Sequence, residues 1–169
     1  MTSTSPTGPH GALDGERSRF RFELPGRLEY RDAARAFLAH VCDHLAQRGQ
    51  LPPDAGHRVI SAFVEAFNNC VIHAYADMAP GPVEVELEVG EDALSVRVVD
   101  HGQAFSPDEV PKPNLAALPE GGLGLFIIRN FMDQVSYARE DGANVLTMIK
   151  RFEGGPTDPE QSPDHAPRS

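Results

Sequence analysis

No stretch of the 169-residue sequence is apolar for long enough to span a bilayer, and the N-terminus lacks the basic and apolar blocks of a secretory signal. A protein with no membrane contact, in the cytoplasm, is therefore expected. Cysteine is scarce: Cys42 and Cys70 each fall in an apolar helical pattern, and neither belongs to a Cys-x-x-Cys pair or a Cys/His cluster. Buried free thiols are expected in place of a disulfide framework. Positive charge is also short, giving a formal net charge of −10, and no basic stripe is visible to offset phosphate repulsion. That balance argues against direct nucleic-acid binding. A single bound nucleotide is still allowed, because a divalent ion and local amides can neutralise its phosphates.

Several nucleotide-site signatures are missing too. "GGLG" at 121–124 lacks the third glycine of GxGxxG and follows a proline-rich loop instead of the first strand of a βαβ unit, which disfavours a dinucleotide fold. There is no Walker lysine motif, no HRD and no DFG, so P-loop enzymes and the common protein-kinase fold are excluded. No internal repeat is present.

What the sequence does contain is one domain of patterned chain. The ends are rich in Ser, Thr, Gly and Pro and have little to bury, so disordered tails are expected at 1–18 and 153–169 around a folded domain at 19–152. Residues 19–24, "RFRFEL", alternate weakly and predict a first strand, with Pro25 and Gly26 turning the chain. From Leu28 to Arg48, Ala34, Phe37, Leu38, Val41, Cys42 and Leu45 recur at helical intervals until Gly49 stops the pattern. Pro52 and Pro53 suit the start of a second helix running to Tyr75, with Val59, Ile60, Phe63, Phe67, Cys70 and Val71 as its apolar residues.

The period then changes to two. "VEVELEV" (83–89) and "LSVRVVD" (94–100) predict an antiparallel hairpin with Glu84, Glu86 and Glu88 on its open face. The segment 101–122 carries four prolines and is too long for an ordinary connector, which makes it a candidate functional loop. A third helix at 123–132 and a second hairpin around Asp141 and Gly142 complete the pattern. Helices on one face of a mixed, mostly antiparallel sheet follow, an α+β sandwich.

The polar positions inside this pattern carry the chemistry. "FVEAFNNCVIHAY" (63–75) places Glu65, Asn69 and His73 at four-residue spacing, on one helical face with about 6 Å of rise per step. One reading is the wet edge of an amphipathic helix. The other is chemical: Asn69 offers a neutral oxygen to Mg²⁺ already carrying phosphate ligands, and Glu65 is a candidate base for a hydroxyl or water. Asn68 points about 100° away and receives no role. Asp100 either forms a turn or accepts the exocyclic amine of adenine, with Gly102 letting the backbone approach the ring. Such an acceptor would reject guanine, which presents a carbonyl at that position. Gly121, Gly122 and Gly124 make either a flexible joint or a phosphate cradle of free helix-terminal amides. The three sites occur in an order that fits one ligand.

In combination these motifs are recognisable. "EAFNNCVIHAY" resembles the N box, "VVDHGQAF" the first glycine box and "EGGLGLFIIRNFMDQVSY" the second glycine box of the GHKL ATPases, most closely the anti-sigma factor serine-protein kinases. The likeness implies the Bergerat ATPase sandwich over 19–152 and binding of ATP with Mg²⁺. It also implies phosphorylation of a small anti-anti-sigma (STAS-type) partner on Ser or Thr, and the holding of a sigma factor away from RNA polymerase. A homodimer is suggested as well, through the helix at 28–48 and the outer edge of the first strand. Carried over by motif, Glu65 is expected as the catalytic glutamate, Asn69 as the magnesium ligand and His73 as a positioning group near the site. Asp100 is expected to bind adenine with Gly102 beside it, and Gly122, Leu123 and Gly124 to form the phosphate-binding turn.

Three departures stand out. Ala104, followed by Phe105, replaces the second glycine of the wider DxGxG pattern; the loop carries Lys112 but no arginine; and Asn144 and Thr147 compete for the family's adenine-side threonine position. The alternative function is a non-catalytic, nucleotide-responsive partner-binding protein of the same fold.

Overall fold

The computed structural model describes residues 17–104 and 123–152, so both ends and the segment 105–122, with Phe105, Lys112, Gly121 and Gly122, lie outside the described residues. The strands are β1 (Ser18–Pro25), β2 (Pro82–Val89), β3 (Ala93–Asp100), β4 (Gln134–Glu140) and β5 (Ala143–Arg151). The helices are α1 (Arg31–Gln47), α2 (Pro53–Asn69) and α3 (Leu123–Phe131). The sheet order is β1-β2-β3-β5-β4, and each neighbouring pair is antiparallel. The expected mixed sheet is thus uniform, because α3 and β4 intervene between β3 and β5 and let β5 return antiparallel beside β3.

Alternation along the strands makes the sandwich largely one-sided. Val83, Val85, Leu87, Val96, Val98 and Met148 point inward onto Phe63, Phe67 and Leu38. The outward glutamates of β2 meet arginines instead: Arg19 to Glu88 at 2.8 Å, Arg97 to Glu86 at 3.1 Å, and Arg21 to Glu84. The hydrogen bond from Arg21 is the main reason the Glu84 carboxyl titrates below its ordinary value. This charged face is largely in water, so the main core lies between sheet and helices, and a small second cluster of Val99, Ala143 and Val145 is buried on the outer face of β3 and β5.

The helix boundaries follow local chemistry except at one point. A 3₁₀ turn at Leu28–Tyr30 precedes α1, so the α-helix starts three residues later than the pattern predicts. Gly49, at φ 69°, ends α1 with its N–H donated to Ala46 O and the Gln50 N–H to Leu45 O, a Schellman closure. Pro53 opens α2. The predicted continuation of that helix to Tyr75 is not α-helical: Cys70–Ala74 form a π turn closed by Tyr75 N–H to Cys70 O at 3.1 Å. A single π turn within a helix is a local widening that frequently marks a site. Phe37, one of the apolar residues of the α1 period, lies outside the core; it is 39% exposed and meets Phe20 and Phe22 of β1 edge-on. The second hairpin turns at Asp141 and Gly142, both with positive φ, as a two-residue type I′ turn requires.

Candidate active site

Two walls meet at the π turn. The first is the end of α2, where Glu65 and Asn69 are half-buried beneath the first turn of α3. A Cβ placed on Gly124 would lie 2.9 Å from Glu65 Oε2 and 3.5 Å from Asn69 Oδ1. Glycine at that position therefore lets the α3 N-terminus sit directly on both polar side chains. Amides of a first helical turn have no partners within the helix and favour an anion.

The second wall is the end of β3. Asp100 is 5% exposed, and its Oδ1 accepts the Gly102 N–H at 2.9 Å and Asn144 Nδ2 at 2.8 Å. Asn144 also donates to Gln103 O and accepts from Arg139, each at 2.8 Å, so this buried amide is fully used. The Cys70 thiol lies beside the carboxylate; burial first, and then the Asp100 charge, push its pKa well up, so it stays a thiol. Cys42 and Cys70 are both free and buried, as expected.

Between the walls is a cavity of about 260 Å³. Asn69 and His73 line it from the α2 side, Asp100 and Leu146 from the sheet, and Leu125 and Arg129 from α3. Its apolar sides suit a planar ring, and Asp100 is its buried polar end. A larger hollow of about 540 Å³ lies at the other edge, between β1 and α1, and contains none of the predicted site residues.

The structure brings Asn69, His73 and Asp100 to one cavity and sets Glu65 a turn away against Gly124. Gly102 is packed on the π turn: a Cβ there would lie 2.2 Å from Ala74 O. Leu123 is the exposed first residue of α3, and Gly122 lies outside the described residues. Ala104 is exposed. Asn68, left without a role, accepts a long hydrogen bond of 3.4 Å from Arg31.

Register sets Asn144 and Thr147 on opposite faces of the sheet. Asn144 stands opposite Asp100, whereas Thr147 stands opposite Arg97, whose side chain joins the outer charged face. Arg129 and Tyr137, which also line the cavity, fall within the stretch that resembles the second glycine box but carry no predicted role. Their position picks them out, one on the cavity face of α3 and one across from it on β4. Among the described residues no three His, Cys, Asp or Glu side chains group to hold a metal. Asn69 supplies a neutral oxygen, a donor suited to an ion that arrives with its own anionic ligands.

Several curated relatives of similar sequence are named as kinases. The chain is 34% identical over 140 residues to the serine-protein kinase RsbW of Bacillus velezensis, covering 78% of this chain and 84% of that protein. It is 32% identical over 140 residues to RsbW of Bacillus subtilis, with the same coverage. The serine/threonine-protein kinase BtrW of Bordetella bronchiseptica is 33% identical over 111 residues, 63% of this chain and 78% of that one. In fold it is similar to a crystal structure of the RsbU and RsbW domains of Rv1364c from Mycobacterium tuberculosis, with a TM-score of 0.57 and 18% identity. That likeness covers 80% of this chain and 32% of the larger one. The family description "Histidine kinase-like ATPase domain" matches residues 24–150, nearly the whole of the sandwich and both walls of its cavity, and the chain belongs to that family.

Proposed function

We propose that the chain is a Mg-ATP-dependent serine/threonine protein kinase that phosphorylates an anti-anti-sigma (STAS-type) partner and holds a sigma factor. The observation that supports this best is the junction of α2 and α3, where Glu65 and Asn69 lie against Gly124 and open onto the cavity that ends at Asp100. Adenine donates its exocyclic amine to the Asp100 carboxylate, whose fixed orientation rejects guanine. The phosphates then extend toward the amides of the α3 N-terminus. Asn69 holds Mg²⁺, which when bound supplies neutralisation of phosphate charge. Glu65 accepts the proton of the partner's serine or threonine hydroxyl as that oxygen bonds to the terminal phosphorus, and the bond from phosphorus to the ADP oxygen breaks.

Glu65→Gln tests the assignment with labelled ATP and a cognate anti-anti-sigma partner. Transfer is expected to fall at least about 100-fold, with binding of ATP and partner retained. Unchanged transfer removes Glu65 as the base. A wild-type protein that binds both ATP and the partner yet transfers nothing supports the non-catalytic, nucleotide-responsive alternative.

A homodimer is part of the same reading, formed through the outer edge of β1 and the exposed rings of Phe20 and Phe37. Among the described residues no helix is long and apolar enough to cross a membrane. The proposed partners belong to transcription, which makes the cytoplasm the compartment of the reaction.

A further inference from the structure

We propose that Tyr75 is a positioning residue for the adenine end of the cavity: its hydroxyl ties the backbone after Asp100 to the π turn after Asn69, and so sets nucleotide affinity and base selection. The ligand side of this inference rests on the kinase reading above; the latch itself rests on geometry.

Tyr75 is 5% exposed, and its Oη makes two hydrogen bonds inside the protein. It donates to Pro82 O at 2.7 Å, where β2 starts, and accepts the His101 N–H at 3.0 Å, one residue beyond Asp100. Its own backbone N–H closes the π turn onto Cys70 O. One residue earlier, Ala74 O accepts the Gln103 N–H at 2.8 Å. The last residue of the π turn and the one that closes it thus hold segment 101–103, directly after the adenine-facing aspartate.

The seat for the ring is made by glycines. A Cβ on Gly26 or Gly81 would lie 2.9 Å or 2.7 Å from Tyr75 ring atoms, and the two glycines are joined by Gly26 N–H to Gly81 O at 2.7 Å. Burial is the chief cause of a raised phenol pKa, which keeps the hydroxyl protonated and able to donate to Pro82. Phenylalanine would fill the same volume, so what the hydroxyl adds is relative position. It couples the wall that carries Glu65 and Asn69 to the wall that carries Asp100. Adenine and phosphates are both served only when those walls keep one spacing.

Tyr75→Phe keeps the ring and removes both hydrogen bonds. The KM for ATP is expected to rise about five- to tenfold with kcat within about twofold, and the preference for ATP over GTP to shrink. A merely structural role would lower Tm and the active fraction, reducing apparent kcat while leaving KM and base preference in place. Amide hydrogen exchange at His101, measured without nucleotide, is expected to quicken in the variant.

Unchanged KM, base preference and His101 exchange would overturn the proposal. Should Tyr75→Phe fail to fold, Gly81→Ala presses on the hydroxyl from the other side and is expected to raise KM likewise; an unaltered KM there counts equally against the latch. If the wild type binds no ATP, the kinase reading fails and takes the affinity claim with it. Exchange at His101 then decides the latch alone.

Discussion

Asp100 and Asn144 are buried polar side chains, and each is hydrogen-bonded to the other. A buried carboxylate oxygen that loses a donor bears the full cost of its desolvation, so Asn144 matters beyond its size. Asn144→Ala takes one donor from Asp100 Oδ1, which keeps the Gly102 N–H, and takes the side-chain donor from Gln103 O. Urea unfolding is expected to show a loss of about 1–3 kcal/mol, and calorimetric titration an ATP affinity lower by about tenfold. An unchanged ATP affinity would separate Asn144 from the site. Glu65, Asn69, His73 and Asp100 are legible in the sequence because their spacing and strand-end position are local. Asn144 is not: Thr147 is an equal candidate until the pairing of β3 with β5 puts one inward and the other outward.

At the scale of elements, the end of α2 and the end of β3 behave as one joint. The apolar period carries the predicted helix without a break to Tyr75, because the π turn that follows Asn69 has no composition signal. It is held by a partner far along the chain, the Gln103 N–H on Ala74 O. Gly102 makes that approach possible, since an added Cβ would lie 2.2 Å from Ala74 O and 2.5 Å from its carbonyl carbon. Gly102→Ala is expected to cost about 1–3 kcal/mol by forcing backbone apart. Because the displaced strand end carries Asp100, ATP binding should weaken with it. Thermal melts with and without saturating Mg-ATP provide the check: a variant with a lowered Tm but a full nucleotide-induced shift would confine Gly102 to stability.

For the whole molecule, the sheet divides the surface into unlike parts. One face is the charged ladder of Arg19, Arg21, Arg97 and the β2 glutamates, and the candidate nucleotide cavity lies beyond the other, near β5 and β4. At the opposite edge β1 ends the sheet with Phe20 and Phe37 each 39% exposed. An exposed edge strand flanked by aromatic rings invites a covering partner. Sedimentation is expected to give a dimer for the wild type and a monomer for a Phe20→Lys, Phe37→Asp double variant that still binds ATP. A wild-type monomer across the micromolar range would remove the homodimer.

By itself the sequence determined the element order, the one-sided burial of the first hairpin and the residue types of the candidate nucleotide site. Those follow from periodicity, turn chemistry and motif spacing, which act between residues a few positions apart. Only the tertiary structure decided that the sheet is antiparallel at each pairing and that α2 ends in a π turn. It also decided that Asn144 instead of Thr147 faces Asp100, and that Gly102 and Tyr75 hold the two walls together. Each of these depends on register or close approach between segments distant in the chain, and no local preference encodes it.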